Sequence, residues 1–503
     1  MKKLAVTTVI FAGAIFSQFD AVAQYKTGEE GKTQAQLLAE EVEASDAPVV
    51  ITLEKALEIA LSENVSVKVD DMEIQRTKYA KKGSYAALFP QIDASGAYQR
   101  TIKKQVMYMD FDMSSLMGGA AGGTGDPTGG ATGGAADGAQ TGAESTESSS
   151  SGGGIEMGRW NTWTAGVSAA MPLVNAQLWK SLKISGKDVE LAVEKANASR
   201  LDVVTQVKNA YYAVLLAKEA FDVYKKVYEN ALQNLEVTQN RFNAKKASEM
   251  ELLRAKTTVE NAIPNVYNAE SSIILALWQL KAVLGVDLDL NIDVDGSLQK
   301  FSEHMLYDIH QHDSVSLANN VTMKQLAIQA DMLAETVKVQ QYANIPSLAL
   351  AFNFSLNAMT NDFKFSEYRW TPYSYVALSL NIPIFAGGKR HQQIRQAKNQ
   401  YEQVKLQTVN TERQLKIAIR QYLTTMETNM KSYYAAIVAA SSAQKGYDIV
   451  AKSFEVGHST QIEVNDAQLA LTQAQLAASQ SIYNFLIAKA QLEQVLGADF
   501  IEK

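Results

Sequence analysis

The chain contains no cysteine, and only 8 prolines, 5 tryptophans and 5 histidines among 503 residues. Without thiols there are no disulfides, no thiolate metal sites, no Cys nucleophile and no acylated N-terminal cysteine. Positive charge is lacking too. A formal net charge of −7 leaves no excess of cations for a basic, nucleic-acid-binding face. Past the first residues, no uninterrupted apolar run reaches the length of a membrane helix. If the protein enters a bilayer, it does so as strands. What remains is ample for folding, with 47% hydrophobic and 20% charged residues. The length suits several ordinary domains or one duplicated, elongated one.

Lys2-Lys3, an apolar run from Leu4 to Phe16 and the Ala21-Val22-Ala23 cleavage motif read as a secretory signal over residues 1–23. Its removal takes two Lys and one Asp, so the mature charge is −8. Residues 24–50 are polar and acidic and read as a flexible extension.

Internal duplication organises the rest. The stretch from Phe454 to Ala467 reads as the tip of a helical hairpin. Gly457 can take the left-handed conformation that ends one helix, and Ser459 or Thr460 can cap the next. The same hairpin occurs earlier, with Phe242, Glu251, Ala255 and Leu284-Gly285 matching Phe454, Glu463, Ala467 and Leu496-Gly497. Both 454 − 242 and 497 − 285 equal 212, so the spacing does not slip. The two repeats are 51–293 and 294–503, with hairpins over 177–284 and 391–496. Their first arms lack internal proline and would be on the order of 95–100 Å long at ~1.5 Å per residue. Pro264 predicts a kink in the first return arm. Arms of this length must pack along one another.

Thr52 can cap a helix with the stripe Leu53, Ala56, Leu57, Ala60, Leu61, and a second helical pattern runs from Val67 to Ala87. Strand patterns follow at 91–99 and 163–171, the latter ending at Pro172, and again at 347–356 and 373–382, the latter ending at Pro383. In the last, Val376, Leu378, Leu380 and Ile382 alternate with Tyr375, Ala377, Ser379 and Asn381. About ten residues suffices for a tilted strand to cross a bilayer. Trp160, Trp163, Trp370, Tyr373 and Tyr375, with Tyr368, cluster at the strand ends and suit an interfacial aromatic girdle, although cross-strand pairs in a soluble sheet would look similar. The offset is 346 − 90 = 256 before the segment 113–158 and 383 − 172 = 211 after it. That Gly-, Ala-, Ser- and Thr-rich insert in the first repeat reads as a loop.

Signals of chemistry are weak. Asp287 to Gly296 has the spacing of a calcium loop, but Ser302 stands where the bidentate acid belongs, and the apolar alternation reads as a half-buried strand. His310 and His312 lie in a polar connector. No catalytic constellation is recognisable, and no cofactor is expected. Glu463 and Asp466 share one helix face near its start, where acids complement the helix dipole. Gathered around an axis, the same residues would form a cation-favouring acidic constriction.

The ordered, duplicated set of Leu53-Glu54-Lys55-Ala56-Leu57-Glu58-Ile59-Ala60, Phe89-Pro90, Ile382-Pro383-Ile384-Phe385-Ala386-Gly387-Gly388 and Val495-Leu496-Gly497 resembles the TolC outer-membrane efflux family over roughly 51–498. The resemblance implies a mixed α and β membrane protein: a homotrimer with a long α-helical periplasmic barrel, each protomer giving four strands to a 12-stranded transmembrane β-barrel. It implies a non-enzymatic exit duct for efflux or type I secretion, set in outer-membrane lipid and docked to a periplasmic adaptor (membrane fusion) protein and an inner-membrane RND or ABC pump. The segment 113–158 would be extracellular. Glu463 and Asp466 fall on the family's gate acids, with Glu251 the corresponding acid of the first tip. The chain departs from the family pattern at Phe454, Ser459 and Lys245, so a different latch is expected, using Arg254 or Lys245. The alternatives are a periplasmic adaptor, which has one hairpin rather than two, and a structural coiled-coil envelope protein, whose heptads would not be broken by Pro-bounded strands.

Overall fold

The computed structural model describes residues 48–107, 155–302, 305 and 317–497. The secretory signal, nearly all of the 24–50 extension, most of the 113–158 insert and the His310/His312 pair lie outside them. The described chain forms two compact units, and each draws on both repeats.

The helical unit begins with strand β1 (Val49–Ile51) and helices α1 (Leu53–Glu63) and α2 (Val65–Ala86). Thr52 caps α1 by accepting the Lys55 N–H. The long arm α3 (Ala176–Asn243) and return arm α4 (Glu249–Leu284) follow, then strand β6 (Ile292–Val294) and helix α5 (Leu298–Ser302). The second repeat supplies α6 (Val321–Tyr342), α7 (Lys389–Glu455) and α8 (Gln461–Leu496). Helix α6 is the counterpart of α2, since 321 − 65 and 342 − 86 both equal 256. Helix α8 is likewise the counterpart of α4, since 461 − 249 and 496 − 284 both equal 212. Helix α4 continues unbroken through Pro264.

The return arms end alike. Gly285 and Gly497 take left-handed φ of 74° and 63°. A Cβ on Gly285 would lie 2.9 Å from the Glu63 carbonyl oxygen, and one on Gly497 would run into the Asn319 carbonyl. Just beyond, Asn64 Nδ2 donates to Val283 O (2.7 Å) and Asn320 Nδ2 to Val495 O (2.6 Å). Each Asn thus satisfies a carbonyl left open at a helix end while its Oδ1 caps the next helix, taking the N–H of Ser66 or Met323.

The core lies where α1, the middle of α3 and α7 and the ends of α4 and α8 converge on β1 and β6, which pair in parallel. Ile51, Ile59, Leu215, Leu280, Met426, Phe485 and Leu492 are fully buried there. Each such side chain contributes roughly 1.5–3 kcal/mol. Tyr211 ties the strands together, its hydroxyl donating to Asp295 O (2.7 Å) and Ile51 O (3.2 Å). The expected strand over 287–295 is shorter than its alternation suggested. Only Ile292–Val294 is extended, because Lys281 Nζ donates to Leu288 O and Asp287 accepts the Asp289 N–H, curling 287–290 into turns. Asp293 pairs with Lys218 at 2.6 Å.

The strand unit is a four-stranded antiparallel sheet in the order β2 (Gln91–Arg100), β5 (Asn161–Val174), β7 (Ser347–Thr360), β8 (Thr371–Asn381). A small hairpin, β3 (Gln105–Met107) with β4 (Ile155–Met157), extends from it. Two strands, β5 and β7, reach 14 residues, well beyond the expected ten or so. β5 continues through Pro172 with a register shift before Val174. The proline is tolerated because β2 ends at Gln91, opposite Ala170, so this stretch has a neighbour on one side only.

Register sorts the side chains by face. Ile92, Val167, Ala169, Leu350, Phe352, Val376 and Leu378 share one face, while Asp93, Ser168, Asn353, Ser379 and Asn381 share the other. The apolar face is bare: Ile92 is 71% exposed and Val376 69%. β2 and β8 are open edges.

Candidate functional site

The two hairpin tips are built to one plan. In the second, α7 ends at Glu455 and Gly457 turns the chain with φ 88°; the His458 N–H then returns to Ser453 O (2.8 Å). In the first, Lys245 occupies the same place with φ 57°, and the Lys246 N–H returns to Arg241 O (2.7 Å). A lysine therefore holds a conformation that favours glycine, against the steric clash of its Cβ. Both return arms then open with a reciprocal capping box, Ser248 with Glu251 and Thr460 with Glu463. Ser459, the alternative cap, instead donates its hydroxyl to Ser453.

These contacts divide the acids of the two tips by what they bind. Glu463 Oε2 accepts the Thr460 N–H at 2.8 Å, and Glu251 Oε2 accepts the Ser248 N–H at 2.7 Å. Asp466 is exposed and makes no hydrogen bond or ion pair among the described residues. Its counterpart at the offset of 212 is Arg254, equally exposed. Over matching windows, 241–256 carries five Lys/Arg and two Glu, whereas 453–468 carries three acids and no Lys or Arg. One tip is basic, the other acidic.

The link between the tips falls to a residue outside the sequence-based candidates. Arg241, in the last turn of α3, donates from Nη1 to Phe454 O at 3.0 Å, and its guanidinium lies 5.0 Å from the Phe454 ring centroid. The carbonyl lies at a helix C-terminus, where a cation is favoured, and it also accepts the Gly457 N–H at 3.1 Å. Gln461, 5% exposed, adds a second link. Its amide, oriented to satisfy both ends, donates to Glu251 O (2.9 Å) and accepts the Ala255 N–H (3.0 Å). Phe454, Tyr447, Val464 and Leu471 pack with Val237 beneath the turn. Burial pushes the Tyr447 hydroxyl pKa up. Alongside lies a groove of about 480 Å³ lined by amides, among them Asn230 and Gln468, and by the charged Lys226, Asp448, Lys452 and Glu455. Among the described residues, neither Arg254 nor Lys245 forms a hydrogen bond, ion pair or cation–π contact with the second tip.

At one end of the sheet the aromatic candidates separate. Trp163 packs with Tyr98 (4.3 Å between ring centroids) and Phe365 (4.9 Å), and Lys104 lies over Trp160 at 4.9 Å. Trp163 belongs to the apolar face, opposite Tyr98. Tyr373 and Tyr375 pair with Ser355 and Asn353, on the polar face, so the register puts them on the opposite face of the sheet from Trp163. Trp370 sits just before β8, 43% exposed.

Comparison with known proteins agrees with this architecture. The model of the family described as "Outer membrane efflux protein" matches residues 138–286 and 314–498. Outer membrane protein TolC of Vibrio cholerae is 21% identical over 345 residues, covering 66% of this chain and 76% of that protein. Outer membrane efflux protein BepC of Brucella suis is 23% identical over 320 residues, covering 62% and 68%. The crystal structure of the Campylobacter jejuni CmeC outer membrane channel superposes with a TM-score of 0.64 at 16% identity, covering 88% of this chain and 85% of that one.

Proposed function

The chain belongs to the outer membrane efflux protein family and is an outer-membrane efflux channel; from that premise we propose how it is assembled and gated. Three copies join their open sheet edges, the β8 of one to the β2 of the next, into a closed twelve-stranded barrel. Its apolar face meets lipid and its polar face lines water. The observation that carries this is the sheet itself: one continuous apolar, exposed face, one polar face and two unpaired edges. Closure removes edges that would otherwise template aggregation.

The tips form the periplasmic entrance and dock a periplasmic adaptor, which connects the duct to an inner-membrane RND or ABC pump. The amide-lined groove beside the tips offers hydrogen bonds to an adaptor helix. Cargo moves passively and the chain catalyses no reaction. Asp466 and Glu463 act as the gate acids, repeated around the axis. Glu463 also serves its capping box, so charge must be removed without removing the cap.

The test is single-channel conductance of the purified protein in planar bilayers, wild type beside Glu463→Gln/Asp466→Asn, since Gln retains the capping box. A cation-selective conductance that loses selectivity in the double variant is the expected result. A pore unaffected by the variant refutes the gate, and failure of a folded trimer to insert refutes the channel assembly.

A further inference from the structure

Resting on the reading of the sheet as part of a membrane barrel, we propose that the helix ends next to the strands bind anionic headgroups of the phospholipid leaflet facing the periplasm. The chain as a whole is acidic, at a formal −7. Three of the four connections between the sheet and the helices depart from that balance. Residues 74–90, which lead into β2, carry four Lys or Arg. Residues 176–187, which leave β5, carry three, and residues 389–401, which follow β8, carry four. None of these stretches contains Asp or Glu. The fourth connection, ahead of β7, is balanced, with Glu335 paired to Lys338 at 2.8 Å.

All three stretches are close to the strands along the chain. Asn175 alone separates β5 from α3, four residues separate α2 from β2, and seven separate β8 from α7. Their cations form stripes. On α2, Tyr85, Lys82 and Lys78 fall at i, i−3 and i−7; on α3, Trp179 and Lys183 fall at i and i+4. On α7, His391, Arg395 and Lys398 fall at i, i+4 and i+7. Every one of these side chains is exposed, Trp179 at 50% and Tyr85 at 43%. Where a stripe holds an aromatic ring, the ring is nearest the strand and the cations lie one or two turns beyond it. That is the order of a membrane interface, ring first and charged head further out.

Nothing within the protein employs these charges. Among the described residues, Lys78, Lys82, Lys183, Arg395 and Lys398 form no ion pair, whereas farther along α7 Lys405, Lys416 and Lys431 each pair with a glutamate three or four residues away. Helix stability does not account for them either. A helix dipole favours acids in the first turn, yet α3 and α7 place none there.

The distances suit a headgroup layer. At ~1.5 Å per residue, Lys82, Lys183 and Arg395 stand about 6–11 Å along the axis from the helix ends next to the strands. The polar layer of one leaflet is about 5–8 Å deep, and side chains of α3 and α7 lean back toward their helix starts, so their charged heads reach it. The occupant that satisfies unpaired cations beside apolar rings is a phosphodiester headgroup of net negative charge, as in phosphatidylglycerol, rather than a zwitterionic one.

The test is lipid selection by the full-length protein in bilayers of equal phosphatidylglycerol and phosphatidylethanolamine, read by electron spin resonance of trace spin-labelled lipids. At low salt the wild type should hold phosphatidylglycerol about fivefold over phosphatidylethanolamine, the factor one cation supplies at a charged lipid surface, and about 1 M salt should erase the preference. Lys82→Gln/Lys183→Gln/Arg395→Gln/Lys398→Gln should lower the ratio below about twofold. Lys225→Gln/Lys256→Gln/Lys300→Gln/Lys445→Gln, which removes as many exposed cations away from the three stretches, should leave it unchanged. An inserted wild type without the preference, or a preference that survives the first variant, overturns the lipid surface and leaves the channel standing. Charge-dependent cosedimentation with purified peptidoglycan, without lipid selection, assigns the surface to that polymer and overturns the proposal as well. A folded trimer that enters no bilayer refutes the barrel reading beneath it.

Discussion

Replacing Arg241 with alanine isolates the link between the two tips. The change deletes a charge-assisted hydrogen bond to Phe454 O at 3.0 Å and a cation 5.0 Å from the Phe454 ring. A cation at a helix C-terminus contributes about 0.3–1 kcal/mol, and a partly exposed cation–π contact about 0.5–1 kcal/mol. The loss is therefore ~1–2 kcal/mol, felt locally because the tip is the end of two long arms. Opening of the second tip becomes roughly 5–30 times more frequent at ~1.4 kcal/mol per factor of ten. Hydrogen exchange of the full-length protein in detergent, followed in peptides covering 446–460, should accelerate by that factor, while the core around Phe485 and Leu492 stays protected. Arg241→Lys, which keeps the charge but loses the planar fork, should fall between. Tip amides within twofold of wild type in Arg241→Ala would refute the idea that this contact holds the tips together.

Lys245→Gly should relieve a left-handed lysine and stabilise the first tip by about 0.5–1 kcal/mol, seen as slower exchange and slower proteolytic nicking there. Gly497→Ala, with positive φ and a Cβ driven into the Asn319 carbonyl, should cost more than about 2 kcal/mol and lower the melting temperature of the assembly; Gly285→Ala should behave alike. Asn320→Ala and Asn64→Ala each leave a helix-end carbonyl unpaired, with an expected cost of about 1–3 kcal/mol by thermal melting. Burial, with the nearby charge of Asp295, pushes the Tyr211 hydroxyl up to about 12. The folded state favours the neutral phenol, so its contribution is intact below about pH 10 and disappears as pH rises through 12. Thermal melts across that window should steepen in wild type relative to Tyr211→Phe.

The sequence by itself determined most features set by neighbours along the chain, the turns over 287–290 being an exception. The 3.6- and 2-residue periods, the Thr52 cap, the turn at Gly457 and the offset of 212 all concern residues in one element or its copy, whereas the choice of Thr460 over Ser459 as the second cap came from the structure. The duplication went further, since it implied that the tips share one plan, and they do. Strand ends were less legible. Pro172 reads locally as a stop, but the sheet tolerates it because β2 is shorter than β5. Tertiary structure alone decided which side chains cross between repeats. Arg241 finds a carbonyl 213 positions away, Gln461 inserts into the first turn of α4, and Asn64 and Asn320 close helices whose last carbonyls lie 219 and 175 positions further along the chain. It also set the faces of Tyr373 and Tyr375, through their pairing with β7. Those choices have no period, because a backbone carbonyl looks the same in any sequence. Which one a guanidinium or an amide reaches depends only on how distant segments are packed.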